Sequence, residues 1–178
     1  MRKILILIVS VFVIVNNTDA QSKKINFSIG PEFSQPTFSG ISGNGIGGGI
    51  SIGYFFNKRI EGNVAISFNH FNSDVFNFNK TDTVNGFTIM PFLPGIKYFI
   101  TDKFYASGAI GMIIGINNAA NHFALSPGIG FLIPFSEKSK IDISLKLIGV
   151  PTGYSFPENI FLNKGGYSYL TFRLAYLF

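Results

Sequence analysis

The feature that most limits what this chain can fold into is a period of two: over long stretches, apolar side chains occupy every second position. It is clearest in Ile60-Glu61-Gly62-Asn63-Val64-Ala65-Ile66-Ser67-Phe68-Asn69, where Ile60, Val64, Ile66 and Phe68 share one parity and Glu61, Asn63, Ser67 and Asn69 the other. Successive side chains of a strand point to opposite faces, so such a strand is apolar on one side and polar on the other. Ile25, Phe27 and Ile29 alternate with Asn26, Ser28 and Gly30, while Ile46, Ile50, Ile52, Tyr54 and Phe56 alternate with Gly45, Gly47, Gly49, Ser51 and Gly53. Ile141, Ile143, Leu145 and Leu147 oppose Lys140, Asp142, Ser144 and Lys146, and the chain ends with Leu170, Phe172, Leu174, Tyr176 and Phe178 opposing Tyr169, Thr171, Arg173 and Ala175. The stretches 87–100, 104–116 and 123–135 are apolar on both parities, and Pro91, Pro94, Pro127 and Pro134 blur them further, because proline removes a ladder donor.

Two kinds of connection separate the strands. Asn57-Lys58-Arg59, Thr101-Asp102-Lys103 and Ser136–Ser139 are short polar turns of hairpin type. Residues 35–44, 71–86 and 151–165 are longer and rich in Asn, Ser, Gly, Pro and Thr, whereas Asn117–His122 stands where a long loop is expected and is only moderate in length. Short turns alternating with long loops is the pattern of transmembrane barrels, whose short turns face the periplasm. An even number of strands then puts both chain ends on that side.

The first residues read differently. Met1-Arg2-Lys3 is a positive start, Ile4–Val15 is almost wholly apolar, and Thr18-Asp19-Ala20 ends on a small residue, so 1–20 reads as a signal peptide and 21–178 as the folded domain. A retained helical anchor is the alternative, but the apolar run is short of the roughly 20 residues that span a bilayer. Without residues 1–20 the chain loses Arg2, Lys3 and Asp19, so the net charge falls from +5 to +4. The basic residues are scattered, which does not make a nucleic-acid footprint. The absence of cysteine excludes disulfides, thiolate metal sites and a cysteine nucleophile.

Composition decides which way the apolar faces point. The chain is 47% hydrophobic and 16% aromatic but only 13% charged, about half the charge of soluble domains. Inside hydrocarbon every backbone N–H and C=O must pair within the protein, so a sheet spans only if it closes. The expected architecture is an all-β, closed antiparallel transmembrane barrel of about eight strands. A soluble lipocalin-like or sandwich fold, with the apolar faces inward, is the alternative. Aromatics near strand ends (Tyr54, Phe55, Phe56, Tyr98, Phe99, Phe104, Tyr105, Phe135, Tyr176 and Phe178) match interfacial girdles, although some will be lipid-facing or core residues.

The last segment, Tyr167 to Phe178, ends on Phe with apolar or aromatic residues at every second position before it, and it resembles the C-terminal β-signal of bacterial outer-membrane proteins. From about Lys24 to Phe178 the chain resembles the outer-membrane β-barrel domain family, of the small OmpX-like or PorT-like kind. That resemblance implies residence in the cell outer membrane of a Gram-negative bacterium, contact with outer-membrane lipid, and recognition of Leu170, Phe172, Leu174, Tyr176 and Phe178 by the barrel-assembly machinery. Its motif is a pattern of residue types, so it speaks to architecture more than to activity.

The search for chemistry yields lumen residues. An eight-stranded barrel is just wide enough for side chains to fill it. Glu61, Lys97, Asp142, Lys146 and Arg173, with Glu32 and Tyr105, are expected to form a polar network there, as a structural plug in preference to a proton or ion path. An outer-membrane lipid-modifying enzyme would need a converging triad such as Ser67 or Ser73 with His70 and Asp74, and His70 and His122 both lie where they could face outward. The two histidines and scattered acids show no known metal-ligand spacing, and Gly43–Gly49 lacks the Lys-Ser/Thr of a phosphate loop. No catalytic residue, cofactor or metal is expected. The expected function is an integral barrel with a structural or surface-interaction role, its outer loops free to contact an extracellular or cell-envelope protein. A lipid-modifying enzyme and a barrel binding a small apolar ligand are the alternatives.

Overall fold

The computed structural model describes residues 24–38, 43–74, 85–116, 121–151, 155–156 and 167–178. The expected signal peptide lies outside the described residues, as do the middles of the long connections. The strands are β1 (Ile25–Phe38), β2 (Gly45–Phe55), β3 (Ile60–Asp74), β4 (Asn85–Phe99), β5 (Phe104–Ile116), β6 (Asn121–Pro134), β7 (Lys140–Val150), β8 (Ser155–Phe156) and β9 (Tyr167–Leu177). Eight of them are long, and each pairs antiparallel with two others in the circuit β1-β2-β3-β4-β5-β6-β7-β9-β1. The sheet therefore closes, and no long strand has an unpaired edge. The two-residue β8 is an addition, pairing with Asn121 and His122 of β6.

The alternation falls as the residue types demand. On β2, Ile50, Ile52 and Tyr54 are exposed while Ser51 and Gly53 are buried, and on β9 Phe172, Leu174 and Tyr176 are exposed while Thr171, Arg173 and Ala175 are buried. The outward face is an apolar belt on every long strand, with Ile46 at 65% and Ile96 at 56% exposure. Water-soluble monomers rarely show a contiguous apolar patch beyond a few hundred Å². This belt encircles the molecule, and the soluble alternative with apolar faces inward is excluded.

Each short turn is closed by a polar side chain at its start. Asn57 Oδ1 accepts from the backbone N–H of Arg59 (2.8 Å) and Ile60 (2.9 Å), and Thr101 Oγ1 from that of Lys103 (3.3 Å) and Phe104 (3.0 Å). Ser136 plays this part in the third turn, with Lys138 N–H at 3.3 Å and the Ser139 hydroxyl at 2.6 Å. Such residues mimic a backbone turn, so tight reversals form there without glycine. The start of β1 and the end of β9 lie at this end, and the Phe178 N–H donates to the Phe27 carbonyl at 2.9 Å.

Four of the strand prolines sit where the ladder skips. Toward β3, β4 passes from Phe92↔Ile66 to Ile89↔Asn69, skipping Pro91; toward β5 it passes from Phe92↔Met112 to Gly95↔Ala109, skipping Pro94. Pro31 falls in a like gap between β1 and β9, and Pro127 in one between β6 and β7. A gap at proline costs only the opposite carbonyl, since proline has no N–H to leave unpaired. Two of the expected loops are bounded differently: β1 runs to Phe38, and β3 runs to Asp74 with β4 starting at Asn85. Gln35, Thr37 and Asn72 are polar and exposed there, so strand that projects past the apolar belt reads as loop by composition.

Candidate functional site

Inward-facing residues divide the lumen into three layers. At the turn end Phe55, Phe99, Tyr105, Leu132 and Leu177 pack together. At the opposite end lies a larger apolar cluster that includes Phe71, Phe87, Ile113, Ile148 and Tyr169, with Phe71 stacked on Phe87 at 5.0 Å and edge-on to Tyr169 at 5.4 Å. Between them the lumen is polar. The expected girdle is thus split: Tyr54, Phe56, Tyr98, Phe135 and Tyr176 are exposed on the outer wall, whereas Phe55, Phe99 and Tyr105 point inward and form the floor. Parity within each strand decides it.

The polar layer holds two ion clusters at different heights. In the lower, Lys97 Nζ of β4 lies 3.2 Å from Glu61 Oε1 of β3 and 3.4 Å from Asp142 Oδ2 of β7. Tyr105 donates its hydroxyl to Asp142 Oδ1 at 2.7 Å and sets its ring 4.9 Å from Lys97 Nζ; Asn26 Nδ2 donates to Glu61 Oε2 at 2.9 Å. In the upper, Arg173 Nε of β9 is 3.4 Å from Glu32 Oε1 of β1, and its Nη2 donates to Ser28 Oγ (3.0 Å) and the Gly49 carbonyl (3.3 Å). Asn69 Nδ2 reaches the second Glu32 oxygen at 3.2 Å. Lys97, Arg173 and their partner carboxylates are nearly fully buried, where an ion pair persists only if its charges also gain hydrogen bonds.

The bare inner face of β2 makes this possible. A Cβ on Gly53 would run into Glu61 Oε1 and Asn26 Oδ1, and one on Gly49 would sit 3.0 Å from Glu32 Oε1. The glycines are lumen space for the two glutamates. Gly130 opposite Tyr105 does the same for that ring.

The structure thus brings Glu61, Lys97 and Asp142 together and ties Arg173 to Glu32, which is 141 residues away in the chain and adjacent only because β1 and β9 meet. Lys146 faces the lumen, half-buried, and joins neither cluster through an ion pair. Glu32 and Tyr105, secondary in the sequence reading, are central to the geometry; inward parity together with carboxylate or phenol chemistry is the signal that finds them.

The enzyme geometry fails where it is described. Ser67 is buried on the lumen face of β3, while His70 lies on the outer face, exposed, with Nδ1 3.0 Å from Thr88 Oγ1. An odd spacing in a strand puts the two on opposite sides of the wall. The Ser73 and Asp74 side chains lie outside the described residues. His122 does not face outward: it is buried in the lumen, edge-on to Tyr167 at 5.5 Å. Among the described residues no group of three or more acids and histidines is arranged to hold a metal ion.

A closed circuit of eight long strands, an apolar outer belt and a side-chain-filled lumen specify one architecture. The chain has the fold of a small outer-membrane β-barrel. It is similar to Neisserial surface protein A (TM-score 0.60, 11% identity, covering 89% of this chain and 98% of that one). It is also similar to AlkL, determined in DMPC lipid bilayers (0.53, 12% identity, 92% and 96%). A third likeness is to Ail, the attachment invasion locus protein of Yersinia pestis, determined with the heparin analogue sucrose octasulfate (0.52, 15% identity, 86% and 97%). The expected resemblance to small outer-membrane barrels holds at the level of fold. No protein-family model and no curated protein matches the sequence.

Proposed function

We propose that the chain is an integral outer-membrane barrel with a structural or surface-interaction role, which offers its strand-connecting segments at the end opposite the short turns as contact surface and is closed to diffusion. The observation that carries this reading is the filled lumen. Phe71 and Ile113 in the upper layer are 0% exposed, and Glu61 and Asp142 in the polar layer are 1% exposed. The upper apolar layer argues against a proton or ion path, since a charge crossing it would lose its partners and its water. The same close packing argues against a lumen that holds a small apolar ligand, and the separation of Ser67 from His70 argues against a lipid-modifying enzyme.

Longer loops on a rigid scaffold are where such a barrel carries specificity. Ail is a barrel of this fold determined with a sulfated ligand. Here the connections 75–84 and 157–166 carry Lys80 and Lys164 against Asp82 and Glu158, a balance that favours a neutral or mixed-charge protein partner over a polyanion. The C-terminal residues Leu170, Phe172, Leu174, Tyr176 and Phe178 are read as the contact for the assembly machinery, which the outward parity of the first four on β9 supports. The test is conductance: the purified barrel inserted in a planar bilayer is expected to leave the baseline current unchanged. Stable single-channel steps would overturn the closed-lumen reading.

A further inference from the structure

The charges of this chain are sorted by height. Within the lumen Glu32, Glu61 and Asp142 face Lys97, Lys146 and Arg173, three against three, so the core contributes no net charge. At the turn end the balance is different. Lys24, Lys58, Arg59, Lys103, Lys138 and Lys140 are all exposed, and among the described residues Asp102 and Glu137 are the only acidic side chains exposed beside them. None of these six cations is in an ion pair among the described residues. By sequence, the opposite end has no such excess: Asp74, Lys80, Asp82, Glu158 and Lys164 are the charges from Asp74 onward in its connections.

The placement of the six matters as much as their number. They come from the start of β1 and from the turns β2–β3, β4–β5 and β6–β7, which are spaced around the closed circuit, so the cations form a ring and not a patch. Beside them on the outer wall are the exposed rings of Tyr54, Phe56, Tyr98, Phe135 and Tyr176. Interfacial aromatics mark the level of the headgroups, and Lys and Arg of the turns at that level lay their stems along the apolar wall and present their charge to the phosphates, while Lys140, which pairs with the inward-facing Leu177, adds its charge at the mouth of the barrel. A protein partner would dock on one side or across the mouth. A lipid annulus touches the whole circumference, as this ring does.

We propose that the basic rim formed by Lys24, Lys58, Arg59, Lys103, Lys138 and Lys140 selects anionic phospholipid headgroups at the turn end of the barrel. The proposal rests on the reading of the chain as a membrane barrel. With the turns toward the periplasm, the lipids concerned are those of the phospholipid leaflet. Attraction of this kind is additive over basic residues near an anionic surface and is lost within a Debye length, so it is abolished by high salt.

The test is lipid selectivity. The barrel is reconstituted in phosphatidylcholine vesicles doped with spin-labelled phosphatidylglycerol or spin-labelled phosphatidylcholine, and the motionally restricted fraction of each is read by electron spin resonance. Phosphatidylglycerol is expected to associate roughly two- to fivefold more strongly at low salt. The ratio is expected to fall toward one at high salt and in the variant Lys58→Gln/Arg59→Gln/Lys138→Gln/Lys140→Gln, whose substitutions lie in turns or at a strand end. A ratio of one in a barrel that still shifts mobility on heating overturns the rim proposal and leaves the barrel reading standing. A preference that survives in the quadruple variant also overturns it. Absence of both restricted lipid and a heat-dependent shift would instead sink the barrel reading.

Discussion

Lys97 is the residue on which the lower lumen depends. Among the described residues it is the one cation within ion-pair distance of Glu61 and Asp142, each 1% exposed in side chain, so its removal leaves two buried carboxylates facing one another. Breaking a buried pair from one side costs more than the pair contributes, because an uncompensated charge remains. Lys97→Met is expected to destabilise the barrel by about 3–5 kcal/mol. Urea unfolding in lipid vesicles measures this, and adding Glu61→Gln and Asp142→Asn to the same chain is expected to recover most of the loss. Recovery would be absent if the lysine acted only through its packing. Each substitution keeps close to the native volume, so the comparison isolates charge.

At the scale of the strand, the side on which a residue falls decides its cost. Ile50 points into the apolar belt while its neighbour Ser51 points into the lumen, hydrogen-bonded to Ser28 at 2.6 Å. Ile50 stands at the middle of β2 (Gly45–Phe55), and Ile50→Arg is expected to cost roughly 2–4 kcal/mol in bilayer unfolding. A cost near zero would mean that β2 does not face lipid. The same contrast explains what could be read from residues alone. β1, β2, β3 and β7 alternate visibly because their inward residues are mainly Gly, Ser, Asn or charged, and β9 because Thr171, Arg173 and Ala175 stand between its outward apolar residues. β4, β5 and β6 do not, because the upper lumen is itself apolar: Phe87, Ile89, Leu93, Ile113 and Ala124 point inward and pack on one another. A strand buried against hydrocarbon on one side and a dry core on the other has no polar parity to reveal it. The lumen charges were legible by parity, but their pairing was not. Glu32 meets Arg173, and Glu61 meets Asp142 through Lys97, across distances in the chain that only closure makes short. His122 stands inside the lumen for a reason that is equally silent in the sequence, since a histidine beside a connection gives no sign of which way its strand has turned.

For the whole molecule, the closed ladder predicts how it unfolds. With every long strand paired on both sides, loss of one strand exposes two edges to hydrocarbon, and partial opening is costly at each. The barrel is therefore expected to survive in detergent without boiling and to migrate faster on a gel unheated than heated, as a compact body. Identical mobility before and after boiling would contradict closure in detergent. The rim charges and the lumen charges enter this behaviour differently: the lumen pairs are shielded from added salt by the wall, whereas the rim lies in water.

The seam between β1 and β9 has a consequence for the order of events during synthesis. Arg173 meets Glu32 and Ser28, and Thr171 meets Ser34 at 2.9 Å, across 137–145 residues of chain. Until β9 is in place, Glu32 has no cation on its own seam, so β1, made before the other strands, is completed only when β9 pairs with it. A truncated product lacking only its final dozen residues would keep seven long strands and still hold a carboxylate without its guanidinium.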